Sequence, residues 1–170
     1  MPTVETLNAP VLLTRSHDRS AFDCGIPALN EYMKQYALQN QKKHAARTYV
    51  ATRGDRVVGY YSLAYGSVAL EEASPSAKAG LAKHPIPVIL LARLAVDLSE
   101  RGRGLGAALL KDYLLRTLQA AEIAGLRAMI VHAKDDAAKK FYEKFDVEPS
   151  SIDAFHLFLK VSDILASLGS

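Results

Sequence analysis

Cysteine is all but missing from this chain. Cys24 is the only one, so no internal disulfide can form, and a reducing cytoplasmic setting is expected. Long apolar runs are missing too. The most extended uncharged stretches, Pro85 to Ala92 and the surroundings of Met129 to Val131, fall well short of the roughly 18 to 20 residues that span a bilayer, so no membrane segment is expected. The opening Met1-Pro-Thr-Val-Glu has neither the basic nor the apolar part of a signal peptide. His44, His84, His132 and His156 are scattered and share no metal-ligand spacing with Cys24, so no metal site is expected. No histidine or asparagine can be assigned to Cys24 as a catalytic partner, and a buried thiol is its simpler reading.

What is present is an ordinary globular composition. With 49% apolar and 23% charged residues in a chain of 170, a single folded domain over residues 1–170 is expected, and a disordered tail or coiled coil is not. The net charge of +3 hides an uneven distribution. From Lys34 to Arg56 six basic residues face one acid, whereas Glu5 to Glu31 has two arginines against four acids. The basic stretch suits either a polyanion or a solvated helix face.

The pattern of elements is α/β. Val11 to Thr14 reads as a first strand, and Ile26, Leu29, Tyr32, Met33, Tyr36 and Ala37 as the apolar face of a helix with Pro27 in its first turn. Arg47 to Arg53 and Arg56 to Leu63 form a hairpin about Gly54-Asp55, the second strand extending as far as Leu70 if Gly59 and Gly66 allow it. The segment 71–87 is an irregular connection with one helical turn near Ala77 to Leu81. Val88 to Val96 is apolar except at Arg93, as in a strand covered on both faces. A long helix follows with Leu105, Leu109, Leu114, Leu118 and Ala121 on one face and Gly125 at its end; then come strand Ala128 to Val131, a helix capped by Asp135 or Asp136, and strand Phe155 to Leu159. The order predicts a mixed central sheet flanked by helices.

Between the buried strand and the long helix stands Arg101-Gly102-Arg103-Gly104-Leu105-Gly106, followed by Ala107. Glycines there let the backbone turn tightly and bring N–H groups close to an anion, and the helix N-terminus adds its dipole. A glycine-rich connection without a ligand is the plainer alternative. The ending Leu105-Gly106-Ala107 lacks the Gly-Lys-Ser/Thr of a P-loop, and glycines at 102, 104 and 106 do not have Rossmann spacing.

The hexapeptide does match the Q/R-x-x-G-x-G/A motif of the GCN5-related N-acetyltransferases (GNAT). Leu91-Ala92-Arg93-Leu94-Ala95-Val96-Asp97 resembles that family's preceding strand, and Asp136 to Phe145 its later helix. Phe22-Asp23-Cys24-Gly25, Ala46 to Ala51 and Val57 to Ser62 are similar to the TacT-like tRNA-acetylating toxins of type II toxin–antitoxin operons. The likeness runs from about residue 12 to about residue 160. It implies a GNAT fold whose splayed parallel strands hold acetyl-CoA. Leu94, Ala95 and Val96 would then follow the pantetheine arm, the turn from Arg101 to Ala107 the pyrophosphate, and Ala138 and Phe141 the border of the CoA. Many members have Gly-Phe after the later helix where this chain has Asp146-Val147.

Acetyl transfer to an amine needs a neutral amine, a donor for the oxyanion and a proton for the thiolate. By spacing alone Tyr142 is a core aromatic; the resemblance makes it the general acid. A backbone N–H of Leu94 to Val96 would meet the oxyanion. Asp97, Glu100, Asp135 and Asp136 are candidate bases, each with an ordinary reading as a cap or surface charge. An α-amine, with a pKa of roughly 7.7 to 8, is already partly neutral near pH 7, unlike a lysine, so aminoacyl-tRNA would need little base. The resemblance implies acetylation of that α-amine and arrest of translation, a ribbon-helix-helix antitoxin from the same operon and a homodimer. Lys34, Lys42, Lys43, Arg47, Lys83 and Arg93 would hold the tRNA, although Arg93 could instead pair with a buried carboxylate. The alternatives are acetylation of a small-molecule or protein amine, and a CoA- or RNA-binding protein without catalysis.

Overall fold

The computed structural model describes residues 5–168; the Met1 to Val4 start, read above for a leader, lies outside the described residues. The strands β1 (Leu7–Leu12), β2 (Arg47–Arg53), β3 (Arg56–Val68), β4 (Ile86–Val96), β5 (Ala128–His132), β6 (Glu148–Pro149) and β7 (His156–Lys160) follow the order β1-β2-β3-β4-β5-β7-β6. The chain divides into two compact units, Met1–Ala64 with Arg93–Tyr113, and Tyr65–Ala92 with Leu114–Ser170.

The first unit holds β1 (Leu7–Leu12), β2 (Arg47–Arg53) and most of β3 (Arg56–Val68), successive antiparallel neighbours. Gly54 has φ +58 in the two-residue hairpin turn closed by the Arg53–Arg56 pair, so the predicted turn is present. The first strand lies earlier than expected, and beyond its end the Leu13 N–H still donates to the Thr48 carbonyl at 2.9 Å while the Leu13 side chain enters the core. The expected single helix is three pieces: α1 (Pro27–Glu31), a π-helical turn at Tyr32–Tyr36, and α2 (Ala37–Lys42). The wider turn rotates the face that follows it. Tyr32, Met33 and Ala37 are thereby buried against Phe22, Val50, Val57 and Tyr60, while Lys34 and Tyr36 stay outside. Gly59 is a close-approach position: a Cβ there would meet Leu105 Cδ2 at 2.9 Å and Leu109 Cδ1 at 3.1 Å, so the first turns of the helix α4 (Leu105–Ile123) pack tightly on β3 at a residue without a side chain, and a larger residue there would make these leucines shift.

The second unit contains α3 (Pro75–Lys78), the first part of β4 (Ile86–Val96), β5 (Ala128–His132), α5 (Asp136–Glu143), β6 (Glu148–Pro149), β7 (His156–Lys160) and α6 (Val161–Leu168). Val88–Leu91 pair in parallel with Ala128–Val131, and β7 runs antiparallel to both β5 and β6. Ala73, Ala77, Ile86, Val88, Ala128, Ile130 and Phe158 form the core of this unit. The helical turn of the irregular segment falls at Pro75–Lys78, earlier than predicted, because Ser74 caps it by accepting from the Ala77 N–H at 3.3 Å. Three expectations need correction. β4 is not covered throughout, since Ala92 is exposed and Leu94 and Val96 are half-buried. α4 stops at Ile123 without a left-handed glycine, Gly125 being absent from the positive-φ residues. The short β6 and the helix α6 have no counterpart in the predicted order.

Candidate functional site

In the first unit the glycine-rich segment lies between a 3-10 turn at Leu98–Glu100 and the first residues of α4. Gly102 and Gly104 have φ +75 and +83, and a Cβ built on either meets nothing within 4 Å. Their glycines are therefore required by backbone conformation, not by crowding from the protein. Gly104 carbonyl accepts the Ala108 N–H at 3.1 Å, which opens α4 and leaves Leu105, Gly106 and Ala107 in its first turn. N–H groups of a first helical turn have no partner within the helix, and Arg101 and Arg103 add positive charge. Together these give an open, basic backbone cradle suited to a phosphate.

Its base is fastened down. Asp97 accepts from the Asp23 N–H at 2.9 Å and from the Ser99 N–H at 3.0 Å and hydroxyl at 2.7 Å. Burial pushes its pKa up, but these hydrogen bonds together outweigh burial and leave it below the usual carboxylate range. Glu100 is buried and receives a two-pronged Arg53 guanidinium, which holds its carboxyl low as well. Arg101 donates to the Cys24 carbonyl at 3.2 Å. Neither carboxylate is poised as a base. Leu94, Ala95 and Val96 precede this anchor on β4, Ala95 buried and its neighbours half-buried. Cys24 is buried, its thiol 3.6 Å from the Ile26 carbonyl.

In the second unit Asp135, not Asp136, caps α5, its side chain accepting from the Ala138 N–H at 2.8 Å. On that helix Tyr142 is 9% exposed, and burial pushes its phenol up to about 12. Phe141, half-buried, meets Tyr142 edge-to-face at 5.2 Å; Ala138 is half-buried as well. Asp146, after the helix, has φ +62, a left-handed conformation that glycine adopts without strain, so the Gly-to-Asp departure falls where backbone geometry favours glycine.

The predicted tRNA contacts separate into groups. Lys34, Lys42 and Lys43 line a groove of about 350 Å³ together with Arg19, Gln35, Leu38 and Gln39. Arg47 is exposed at the start of β2, and Lys83, in the second unit, lines a depression of about 220 Å³. Arg93 is half-buried with its guanidinium over the Tyr32 ring, 3.7 Å from the centroid, so it meets an aromatic face in place of the carboxylate that was the alternative. Arg19 escaped the sequence reading because it belongs to a stretch that is acidic overall. The acids around it are engaged locally: Asp18 accepts from Ser20, and Asp23 from Gly25 and Asn30. The grouping of Arg19 with Lys34, Lys42 and Lys43 around one groove, which a running charge sum along the chain does not show, was the signal needed. Among the described residues no group of three or more His, Cys, Asp or Glu could hold a metal ion, and no helix is long and apolar enough to cross a membrane.

The sequence matches the acetyltransferase (GNAT) domain over residues 44–148, a span that includes the glycine turn, α4 and Tyr142. It is 44% identical over 162 residues to a tRNA-acetylating toxin of Mycobacterium tuberculosis, covering 95% of this chain and 97% of that one. The chain belongs to the GNAT acetyltransferases, in the branch of the tRNA-acetylating toxins. A solved structure of AtaT complexed with acetyl-methionyl-tRNAfMet superposes with a TM-score of 0.88 at 26% identity, over 97% of this chain and 100% of that one. A Tyr-to-Phe mutant of the AtaT toxin, bound to the C-terminus of its antitoxin AtaR and to acetyl-CoA, gives a TM-score of 0.81 at 25% identity, over 96% and 99%. The fold of this GNAT chain is therefore the mixed sheet with flanking helices expected from its sequence.

Proposed function

We propose that this chain is a toxin that transfers the acetyl group of acetyl-CoA to the α-amine of an aminoacyl-tRNA and so blocks translation. The observation that carries the reading is the open turn at Gly102 and Gly104, with unobstructed space where side chains would stand, in a chain 44% identical to a tRNA-acetylating toxin. Residues 101–107 fit a pyrophosphate by backbone N–H groups and the charges of Arg101 and Arg103. Leu94, Ala95 and Val96 would follow the pantetheine arm, with a backbone N–H for the oxyanion, and Ala138 and Phe141 would flank the CoA.

Proton balance defines the role of Tyr142. The amine nitrogen bonds to the thioester carbonyl carbon, the carbon–sulfur bond breaks, and one proton must leave nitrogen while one reaches sulfur. A phenol held near 12 gives up no proton on its own to a thiolate of pKa roughly 8.5. It serves by donating to sulfur while taking up the proton shed by the amine, a relay in which the phenol is never left ionised. With Asp97 and Glu100 engaged by other groups, the reacting species is the fraction of the α-amine that is already neutral in solution.

Lys34, Lys42, Lys43 and Arg47, with Arg19, Lys83 and Arg93, would hold the tRNA. In this reading residues 1–170 act as one acetyltransferase domain, in the cytoplasm where charged tRNA is found, as a homodimer neutralised by a ribbon-helix-helix antitoxin. The test is incubation with labelled acetyl-CoA and total charged tRNA, with deacylated tRNA, small amines and protein amines in parallel. Label that appears on charged tRNA and is released with the aminoacyl ester supports it. Label only on free or protein amines would show a different acceptor.

A further inference from the structure

The glycine turn has open space around Gly102 and Gly104, so no packing against those two positions holds its shape. What holds it is its base. The Glu100 N–H donates to the Asp97 carbonyl at 2.9 Å and the Arg103 N–H to the Glu100 carbonyl at 3.4 Å. The Glu100 side chain, 3% exposed, meets Arg53 in a fork: Nε to Oε2 and Nη2 to Oε1, both 2.9 Å. Arg53 is itself oriented by Nη1, which donates to the Glu5 carbonyl at 2.8 Å. A carboxylate one residue before an anion cradle would weaken that cradle if its charge were uncompensated, and a buried carboxylate without a partner is costly in any case.

We infer that Arg53 and Glu100 are positioning residues for acetyl-CoA binding: their fork ties the base of the 101–106 turn to the end of β2 and neutralises the carboxylate beside the pyrophosphate site. The inference rests on the pyrophosphate reading of that turn. Arg53 touches neither the cradle glycines nor any residue proposed to act on the acetyl group, and it acts through Glu100. Two parallel hydrogen bonds fix both position and orientation, which a lysine at 53 could not reproduce.

Calorimetry with two ligands, acetyl-CoA and acetyl-pantetheine, separates this role from general stability, because only the first carries the pyrophosphate. Arg53→Met should weaken acetyl-CoA by about tenfold or more, with acetyl-pantetheine affinity unchanged, in a protein whose circular dichroism matches wild type. Arg53→Lys, which keeps the charge but not the fork, should show a smaller loss of the same selectivity, and it replaces Arg53→Met if that variant does not fold. Unchanged acetyl-CoA affinity, or equal weakening of both ligands, overturns the positioning role. Equal affinity of the wild type for the two ligands would instead overturn the pyrophosphate reading beneath it.

Discussion

The guanidinium of Arg93 lies 3.7 Å from the centroid of the Tyr32 ring, and the opposition of these two side chains accounts for a charge in an otherwise apolar strand. Tyr32 is 4% exposed and stacks in turn near Tyr60, at 6.3 Å between centroids. An arginine over a partly desolvated ring gains about 0.5 to 2 kcal/mol, and its stem covers apolar surface. A double-mutant cycle of Arg93→Met and Tyr32→Leu, read from urea unfolding, should give a coupling of about 1 kcal/mol. Zero coupling would mean that the two side chains are neighbours without a stabilising interaction.

Tyr142→Phe should keep the fold and acetyl-CoA binding while lowering turnover by roughly 10² to 10⁴. The phenol's upward shift, caused by burial, fixes the sign of the pH effect: Tyr142 stays protonated as pH rises toward about 12. Wild-type rates should therefore climb as the substrate amine loses its proton, below about pH 7.7 to 8 because an aminoacyl ester has no carboxylate to hold that proton, and then level off with no loss from tyrosine ionisation. Initial rates of both proteins from about pH 6 to about pH 9 check this. A fully active Tyr142→Phe returns the residue to the core.

Features built from neighbouring residues were legible in the sequence. The 101–106 turn, the Gly54-Asp55 hairpin and the Asp135 cap each depend on local backbone chemistry, and each is in place. The π-helical turn at Tyr32–Tyr36 was not legible, because all five residues also suit an α-helix and the tertiary demand to bury Tyr32, Met33 and Ala37 decides the geometry. Nor was the Arg53–Glu100 fork, whose members are 47 positions apart. The same holds for His132 and His156, which become partners only through the antiparallel register of β5 and β7. The half-exposure of β4 at Leu94 and Val96 was hidden for a related reason: both residues are apolar, and hydropathy alone does not tell a half-covered strand from one packed on both faces.

His132 and His156 stack at 3.9 Å between centroids. Partial desolvation, and then the charge of His156, lower the pKa of His132, while Asp153, 3.3 Å from the His156 ring, works weakly against this. With its folded pKa depressed, His132 binds a proton more readily when unfolded. Its contribution to stability is present above about pH 6.5 and is lost as pH falls through and below that value. Urea midpoints at about pH 7.5 and about pH 5.5 should fall for wild type and fall less for His132→Gln. Equal falls would place the acid sensitivity elsewhere.

The groove of Arg19, Lys34, Lys42 and Lys43 supplies the last test. All three lysines are exposed, so as single surface charges they contribute little to stability, and their removal should not disturb the fold. If they lie against tRNA phosphates, each contact releases condensed counterions on binding, and the logarithm of affinity falls with the logarithm of salt by about 0.7 to 0.9 per phosphate neutralised. Reversing charge with Lys42→Glu and Lys43→Glu should thus weaken tRNA binding at low salt and flatten the salt slope by about 1 to 2, converging with wild type as salt rises. Acetyl-CoA affinity should not change, since neither lysine belongs to the glycine turn. Filter binding of charged tRNA across a salt series, with acetyl-CoA calorimetry beside it, measures both quantities. Identical salt slopes for wild type and the double variant would show that these lysines form a solvated helix face and that tRNA is held elsewhere.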